Sequence, residues 1–232
     1  MARHHHTMAL YLNTDTWARR EAYAYFRSFE QPCFNVCVRV DAAPLKTAVA
    51  ARGQSFSLAC VFLALRLANL HEAFRYRLEG ERVRVHDEVH GSSTVLRDDE
   101  SFGFSYLDHS PDWALFHTRG RAALQAARTR AHMAEPREAS DNLLYFTTLP
   151  WLHFTSFAHA RTSGREVGIP KIAFGRALAD GARLWLPVSV EVHHALMDGL
   201  HVGRYVQALE AAMAQPQAWL EGAGGAGNGP TA

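Results

Sequence analysis

One stretch near the C-terminus, VSVEVHHALMDGLHVGRY (Val188 to Tyr205), constrains the fold more than any other. Valines alternate with Ser189 and Glu191 up to Val192, a strand signature. Val202, Tyr205, Val206 and Leu209 then recur at helical spacing, and Asp198-Gly199 reads as the start of that helix with an acidic cap. A strand that turns within a few residues into an amphipathic helix must bury both against one core. The chain therefore mixes sheet and helix. Between the two lies His193-His194-Ala195-Leu196-Met197, an insertion that a core does not need.

The rest of the chain extends this pattern. Asp15 and Thr16 are capping candidates for a helix carrying Trp17, Tyr23, Phe26 and Phe29. CFNVCVRVD alternates, with Phe34, Val36, Val38 and Val40 on one face and Asn35, Cys37 and Arg39 on the other. PLKTAVAARG predicts a short helix closed by Gly53, and Ser55 precedes a longer apolar helix through about Leu70. FRYRLEGERVRVHD predicts a hairpin turning at Glu79-Gly80, followed by a strand at STVLRDD. Ser110-Pro111-Asp112 starts a helix expected to run to about His132. NLLYFTTLPWLHFTSF is β-rich and broken by Pro150, and IPKIAFGRALADGARLWLPVSVEV predicts two strands turning at Asp180-Gly181. Strands mixed with helices, without regular βαβ alternation or a Gly-rich phosphate loop, imply an α+β fold with a large mixed β-sheet flanked by helices. No linker divides the chain. A flexible N-terminus over 1–10, one domain over 11–220 and a disordered Gly-rich tail over 221–232 are expected.

Composition excludes several classes of function. A formal net charge of +1, with Arg and Lys scattered among acids, gives no basic stripe for nucleic acid or an anionic membrane. Cys33, Cys37 and Cys60 are too few and too badly spaced for a disulfide framework or a closed zinc site. The apolar run SLACVFLALRLANL is interrupted by Arg66 and too short to span a bilayer, and the N-terminus lacks a signal-peptide core. A cytoplasmic protein is expected. His4, His5 and His6 read as a terminal tract rather than a metal site.

Three readings of HHALMDG compete. A metal site would use His193, His194 and His201, yet neighbours at a strand end point to opposite faces and do not readily share one ion. A structural corner would have His194 as a buried, satisfied histidine and Asp198 as a helix cap. A general base would be an imidazole held in one direction by the rigid strand end, a group that ordinarily titrates near ~6.5. The spacing alone leaves the last two about even.

The wider sequence carries a resemblance. HHALMDGLHVGRY resembles the signature HHxxxDGxHxxR of the chloramphenicol acetyltransferase family. TWARREAYAYF is similar to that family's N-terminal helix. ANLHEAFRYRLEGERVRVHDEVHGSSTVL is similar to its helix, hairpin and strand. TTLPWLHFTSF and RLWLPVSVEVHHALMDG match further segments in order, so the likeness runs from about Tyr11 to Leu220.

The resemblance implies a chloramphenicol O-acetyltransferase of the CoA-dependent acyltransferase fold. It would take acetyl from acetyl-CoA as co-substrate, with no permanently bound cofactor and no metal. Carried over by position, His194 is the general base and Thr147 the hydroxyl donor to the oxyanion. Asp198 pairs with Arg19 to hold the active-site turn, Arg20 being the less favoured partner. Phe26, Phe29, Phe34 and Phe102 are candidates for the acceptor pocket. Partners are copies of the chain, in a homotrimer with interfacial sites and a role in antibiotic resistance.

The chain departs from the family pattern where HMAEPREASDN lacks an aromatic pocket wall. Ala173 stands where the family has a threonine near the oxyanion, Ala177 where it has a tyrosine near the CoA adenine, and Met197 in place of a cysteine. A different small alcohol as acceptor, or a weakly active ligand-binding relative, is the alternative. Dihydrolipoamide acyltransferase cores place an arginine where this chain has Ala195, and peptide-synthetase condensation domains need about twice this length.

Overall fold

The computed structural model describes residues 9–134, 136–160 and 167–221. The histidine tract at 4–6 and the Gly-rich tail from 222 lie outside the described residues. In chain order the elements are β1 (Leu10–Tyr11), α1 (Arg20–Phe26), β2 (Cys33–Asp41), α2 (Ala43–Ala50), α3 (Phe56–Leu70), β3 (Tyr76–Glu79) and β4 (Arg82–Val85). There follow β5 (His90–Leu96), β6 (Phe102–Leu107), α4 (Trp113–Thr129), β7 (Leu143–Thr148), β8 (Lys171–Phe174), β9 (Leu178–Asp180), β10 (Arg183–His193), α5 (Gly199–Ala214) and α6 (Gln217–Leu220).

A seven-stranded mixed sheet runs in the order β2-β10-β8-β7-β5-β6, with β9 paired to the start of β10. β5, β7 and β8 pair in parallel and the other neighbours antiparallel. A small second sheet, β1-β4-β3, holds the hairpin. The period-two rule sorts the large sheet's faces. Val36, Val38 and Val40 of β2, Val188, Val190 and Val192 of β10, Ile172 and Phe174 of β8, and Leu144 and Phe146 of β7 join one core with the helices. The opposite face carries Asn35, Ser189, Glu191, Lys171, Ala173 and Thr147. There Asn35 donates to Ser189 Oγ at 2.6 Å and Lys171 pairs with Glu191 at 3.2 Å.

The helices form where caps and apolar stripes direct them. Ser55 Oγ accepts from Leu58 N and opens α3, whose interior is almost wholly buried. Asp198 caps α5, which packs Val202, Tyr205, Val206 and Leu209 inward. Tyr205 OH donates to the carbonyl of Ala64 at 2.9 Å, so α3 and α5 are joined by a buried hydrogen bond as well as by packing.

Several expectations are corrected. Asp15 and Thr16 lie in a turn, because Asn13 Oδ1 accepts the Asp15 N–H, and α1 begins only at Arg20. The hairpin turns through Gly80-Glu81, with Gly80 at φ +59, one residue later than read. The cap of α4 is Asp112, with Ser110 bonded to it from outside, and the helix stops at Thr129 rather than His132. Beyond Thr148 the aromatic segment is loop, since Pro150 offers no N–H to a ladder. Lys171–Phe174 and Leu178–Asp180 are separate strands, making three where two were read, and the last turn runs through Gly181-Ala182. β6 was not foreseen.

Arg77 joins the two sheets. Fully buried, it donates to the carbonyls of Phe74, Tyr76, Asp141 and Leu143, and so pins the entry of β7 beside β3. Burial pulls its guanidinium down to about 9, still a cation at neutral pH. Arg77→Met strips partners from four carbonyls, and each unsatisfied buried group costs about 1–3 kcal/mol. Urea unfolding should show the variant at least about 3 kcal/mol less stable. A midpoint equal to wild type would mean that the carbonyls find other partners.

Candidate active site

The corner between β10 and α5 places two histidines in opposite environments. His193 ends the strand on the helix-free face and is buried. Its Nδ1 accepts from Ala195 N at 3.1 Å, while its carbonyl takes the amides of Leu196 and Met197 at 3.0 Å each. The buried, satisfied histidine is thus His193 and not His194. Burial, helped by the charge of neighbouring His194, pulls its pKa down to about 4, so the ring is neutral at physiological pH.

His194 leaves the strand and is half-exposed. Its ring stacks flat on Phe26, with centroids 3.7 Å apart and planes 5° from parallel, and packs at a tilt on Phe34 at 4.7 Å. Phe29 and exposed Tyr25 extend this patch through ring contacts of about 5 Å to Phe26. Tyr25 was missed because it lies on the solvent side of α1's helical stripe. The Nδ1 of His194 is buried without a hydrogen-bond partner within the described chain, so stacking rather than a hydrogen bond sets the ring plane.

The backbone of His194 is clamped from two sides. Its amide donates to the carbonyl of Pro32 at 2.8 Å, and its carbonyl accepts from Arg19 Nη2 at 2.9 Å. Arg19 Nη1 in turn pairs with Asp198 Oδ2. Arg20 points elsewhere, toward the carbonyl of Asp15. Burial would raise the Asp198 carboxyl, but the hydrogen bond from His201 and the charge of Arg19 outweigh it and hold the group below its usual range. Gly168, at φ +84, lies against the turn so closely that a Cβ there would collide with Leu196 Cδ1. It packs the corner from behind.

Thr147 and Phe102 do not join this group in one chain. Thr147 is level with Ala173 on β8 and so with Ser189 on β10, two strands across and five residues short of His194. At about 4.8 Å per strand and about 3.3 Å per residue, the two side chains are rooted roughly 19 Å apart. Phe102 starts the edge strand β6, four strands from β10, and is exposed. The two therefore lie toward the other end of the sheet, where Trp151 and Leu152 are also exposed. Beside them a cavity of about 280 Å³ opens between α2, the start of α3 and the β7–β8 end, lined by Lys46, Phe56, Thr148, Pro150, Arg176 and Ala177 among others. Among the described residues no group of His, Cys, Asp or Glu is arranged to hold a metal ion, and no helix is long and apolar enough to cross a membrane.

The chain as a whole is similar to known proteins. The family model described as chloramphenicol acetyltransferase matches residues 9–210. The chloramphenicol acetyltransferase of Streptomyces acrimycini is 32% identical over 213 residues, covering 90% of this chain and 96% of its own. Chloramphenicol acetyltransferase 2 of Escherichia coli is 28% identical, covering 86% and 94%. A solved chloramphenicol acetyltransferase superposes with a TM-score of 0.81 at 24% identity, over 89% of this chain and all of the other, which shows the fold. The dihydrolipoamide acetyltransferase of Azotobacter vinelandii shares it more distantly, with a TM-score of 0.63 at 16% identity over 86% of this chain and 88% of its own.

Stability should report the environment of His193. Above its unfolded value of ~6.5 both states are neutral and its contribution is fully present. As pH falls from there the unfolded chain takes up a proton that the folded chain refuses, and stability declines until about 4, where the folded ring also protonates. The decline amounts to about 3 kcal/mol from this group. His193→Asn keeps an acceptor for Ala195 N and should lose that part of the slope in urea titrations between pH 7 and 4. An unchanged slope would contradict the assignment.

Proposed function

This chain belongs to the chloramphenicol acetyltransferase family, whose members are acetyl-CoA-dependent acyltransferases, and from that premise we propose that it acetylates a primary hydroxyl of chloramphenicol with His194 as general base. The carrying observation is the state of His194: half-buried at the end of the longest strand, flat against Phe26, and clamped through its own carbonyl. Acting as the neutral imidazole, it removes the hydroxyl proton as the oxygen attacks the thioester carbonyl. The tetrahedral oxyanion then collapses, the C–S bond breaks, and the CoA sulfur leaves with the proton returned by the imidazolium. Thr147 supplies the hydroxyl that donates to the oxyanion. Phe26, Phe29, Phe34 and Phe102 wall the acceptor.

The split of these residues over one chain supports an assembly. With Thr147 and Phe102 roughly 19 Å or more from His194, the halves meet only when the exposed aromatic patch of one copy faces the Thr147 end of another. A homotrimer closes that head-to-tail contact. Each copy would be one acetyltransferase domain over 11–220. The cavity beside Thr148 suits part of acetyl-CoA: Lys46 and Arg176 offer cations to phosphate, and Phe56, Pro150 and Ala177 an apolar wall to the pantetheine arm. Residence in the cytoplasm follows from dependence on acetyl-CoA, and the reaction confers antibiotic resistance.

The test is release of free CoA thiol from acetyl-CoA with chloramphenicol as acceptor. His194→Ala should lose about 10²–10⁴ in kcat, and Thr147→Ala about 10²–10³. Refolding the two variants together should restore activity above either parent, because some interfaces then pair an intact His194 with an intact Thr147. No gain on mixing would contradict the interfacial site. No acceptor-dependent release by wild type would overturn chloramphenicol as substrate and favour another alcohol or a ligand-binding role.

A further inference from the structure

His201 stands one turn into α5 and is half-buried. Its Nδ1 lies 2.8 Å from Asp198 Oδ1 and 3.3 Å from Asp198 N. One ring nitrogen cannot serve both contacts, because the first needs a proton on Nδ1 and the second a lone pair. The shorter contact decides. A bare Nδ1 at 2.8 Å from a carboxylate oxygen would set lone pair against lone pair, so Nδ1 carries the proton and donates to Oδ1.

This donation settles a competition for Asp198. Its carboxylate caps α5 by accepting Leu200 N on Oδ1 at 3.0 Å, and it pairs with Arg19 through Oδ2. The Asp198 side chain is 37% exposed, so water can take over either role if the carboxylate turns. His201 and Leu200 together hold Oδ1 on the helix side. That leaves Oδ2 directed at Arg19, whose second nitrogen then reaches the carbonyl of His194. Three hydrogen-bonded links thus join His201 to the turn that carries the base. On its other side the ring borders a hollow of about 250 Å³ with His71, Glu72, Tyr76 and Arg204, where Glu72 is taken by the hydroxyl of Tyr76.

We propose that His201 is a positioning residue for the catalytic turn, acting through Asp198 and Arg19 on the backbone of His194. The proposal rests on His194 being the base. A displacement of about 1 Å in a reacting group costs up to about 10²-fold in rate, so the loss should appear in kcat. The acceptor's aromatic contacts do not involve His201, and KM for chloramphenicol should stay within about twofold of wild type.

Three variants test this with the acetyl-CoA and chloramphenicol assay, each checked by its thermal midpoint. His201→Ala should lower kcat by about 10- to 100-fold. His201→Asn, whose side-chain N–H can occupy the place of Nδ1, should recover most of that loss. His201→Gln, which carries its amide one bond further out, should not. In an Asp198→Ala background, His201→Ala should add little. A wild-type kcat in His201→Ala would overturn the proposal. So would equal losses in Asn and Ala variants of equal midpoint, which would indicate packing alone, or full additivity with Asp198→Ala. Failure of wild type to turn over would instead overturn chloramphenicol as the substrate; the ring resonances of His194 in NMR should still move in His201→Ala and return in His201→Asn, and no movement in His201→Ala would overturn the positioning role.

Discussion

The pairing of Arg19 with Asp198 is the contact on which the geometry of the site depends. It joins residues 179 apart in sequence and ties the N-terminal helix to the corner where the last long strand becomes a helix. α1 is only seven residues long and buries a single side chain, Tyr23, so packing alone gives it little reason to sit where it does. Yet it must, because Phe26 lies two turns beyond Arg19 on the same side and provides the surface on which His194 stacks. Arg19 thereby fixes His194 twice, through its carbonyl and through the ring beneath the imidazole. With Asp198 more than a third exposed, the pair adds little to stability, and its contribution is to direction.

The two adjacent histidines follow from the strand they terminate. A strand sends successive side chains to opposite faces, so His193 turns into the polar sheet face and is desolvated, while His194 emerges beside aromatic rings. Burial takes one imidazole out of the proton-transfer range and makes it a fixed acceptor for the next turn's amide. The His194 ring is left accessible. The same residue type is desolvated in one case and available for the proposed chemistry in the other, and only the alternation of the backbone distinguishes them.

Much of this was legible because each element carried its own signal. Ser55 and Asp198 announced α3 and α5, and the alternating valines announced β2 and β10. β6 was hidden because its core-facing positions are Gly103, Ser105 and Leu107. α4 crosses so near that Gly120 has Leu58 and Leu107 against it, and small residues there erase the apolar period. Asp15 and Thr16 imitated a cap, but the side chain of Asn13 had already claimed the Asp15 amide. The role proposed for His201 was invisible for a different reason. It depends on which oxygen of Asp198 each partner takes, and sequence spacing carries no such information.

The register of the sheet also decides what one chain can do alone. Ser189, Ala173 and Thr147 form one row, and the turn bearing His194 begins five residues beyond it. No rotamer of a threonine or histidine spans such a gap, because side chains of that size reach only a few ångströms from their Cα. Loop motion would not close it either, since Thr147 lies within a paired strand and His194 follows one directly. The rows could be brought level only by slipping β10 against β8, and a slip of an odd number of residues would turn Val188, Val190 and Val192 out of the core. The distance between Thr147 and His194 is therefore built into the same pairing that makes the fold stable, and the interfacial site proposed above takes its need for a second copy from that register.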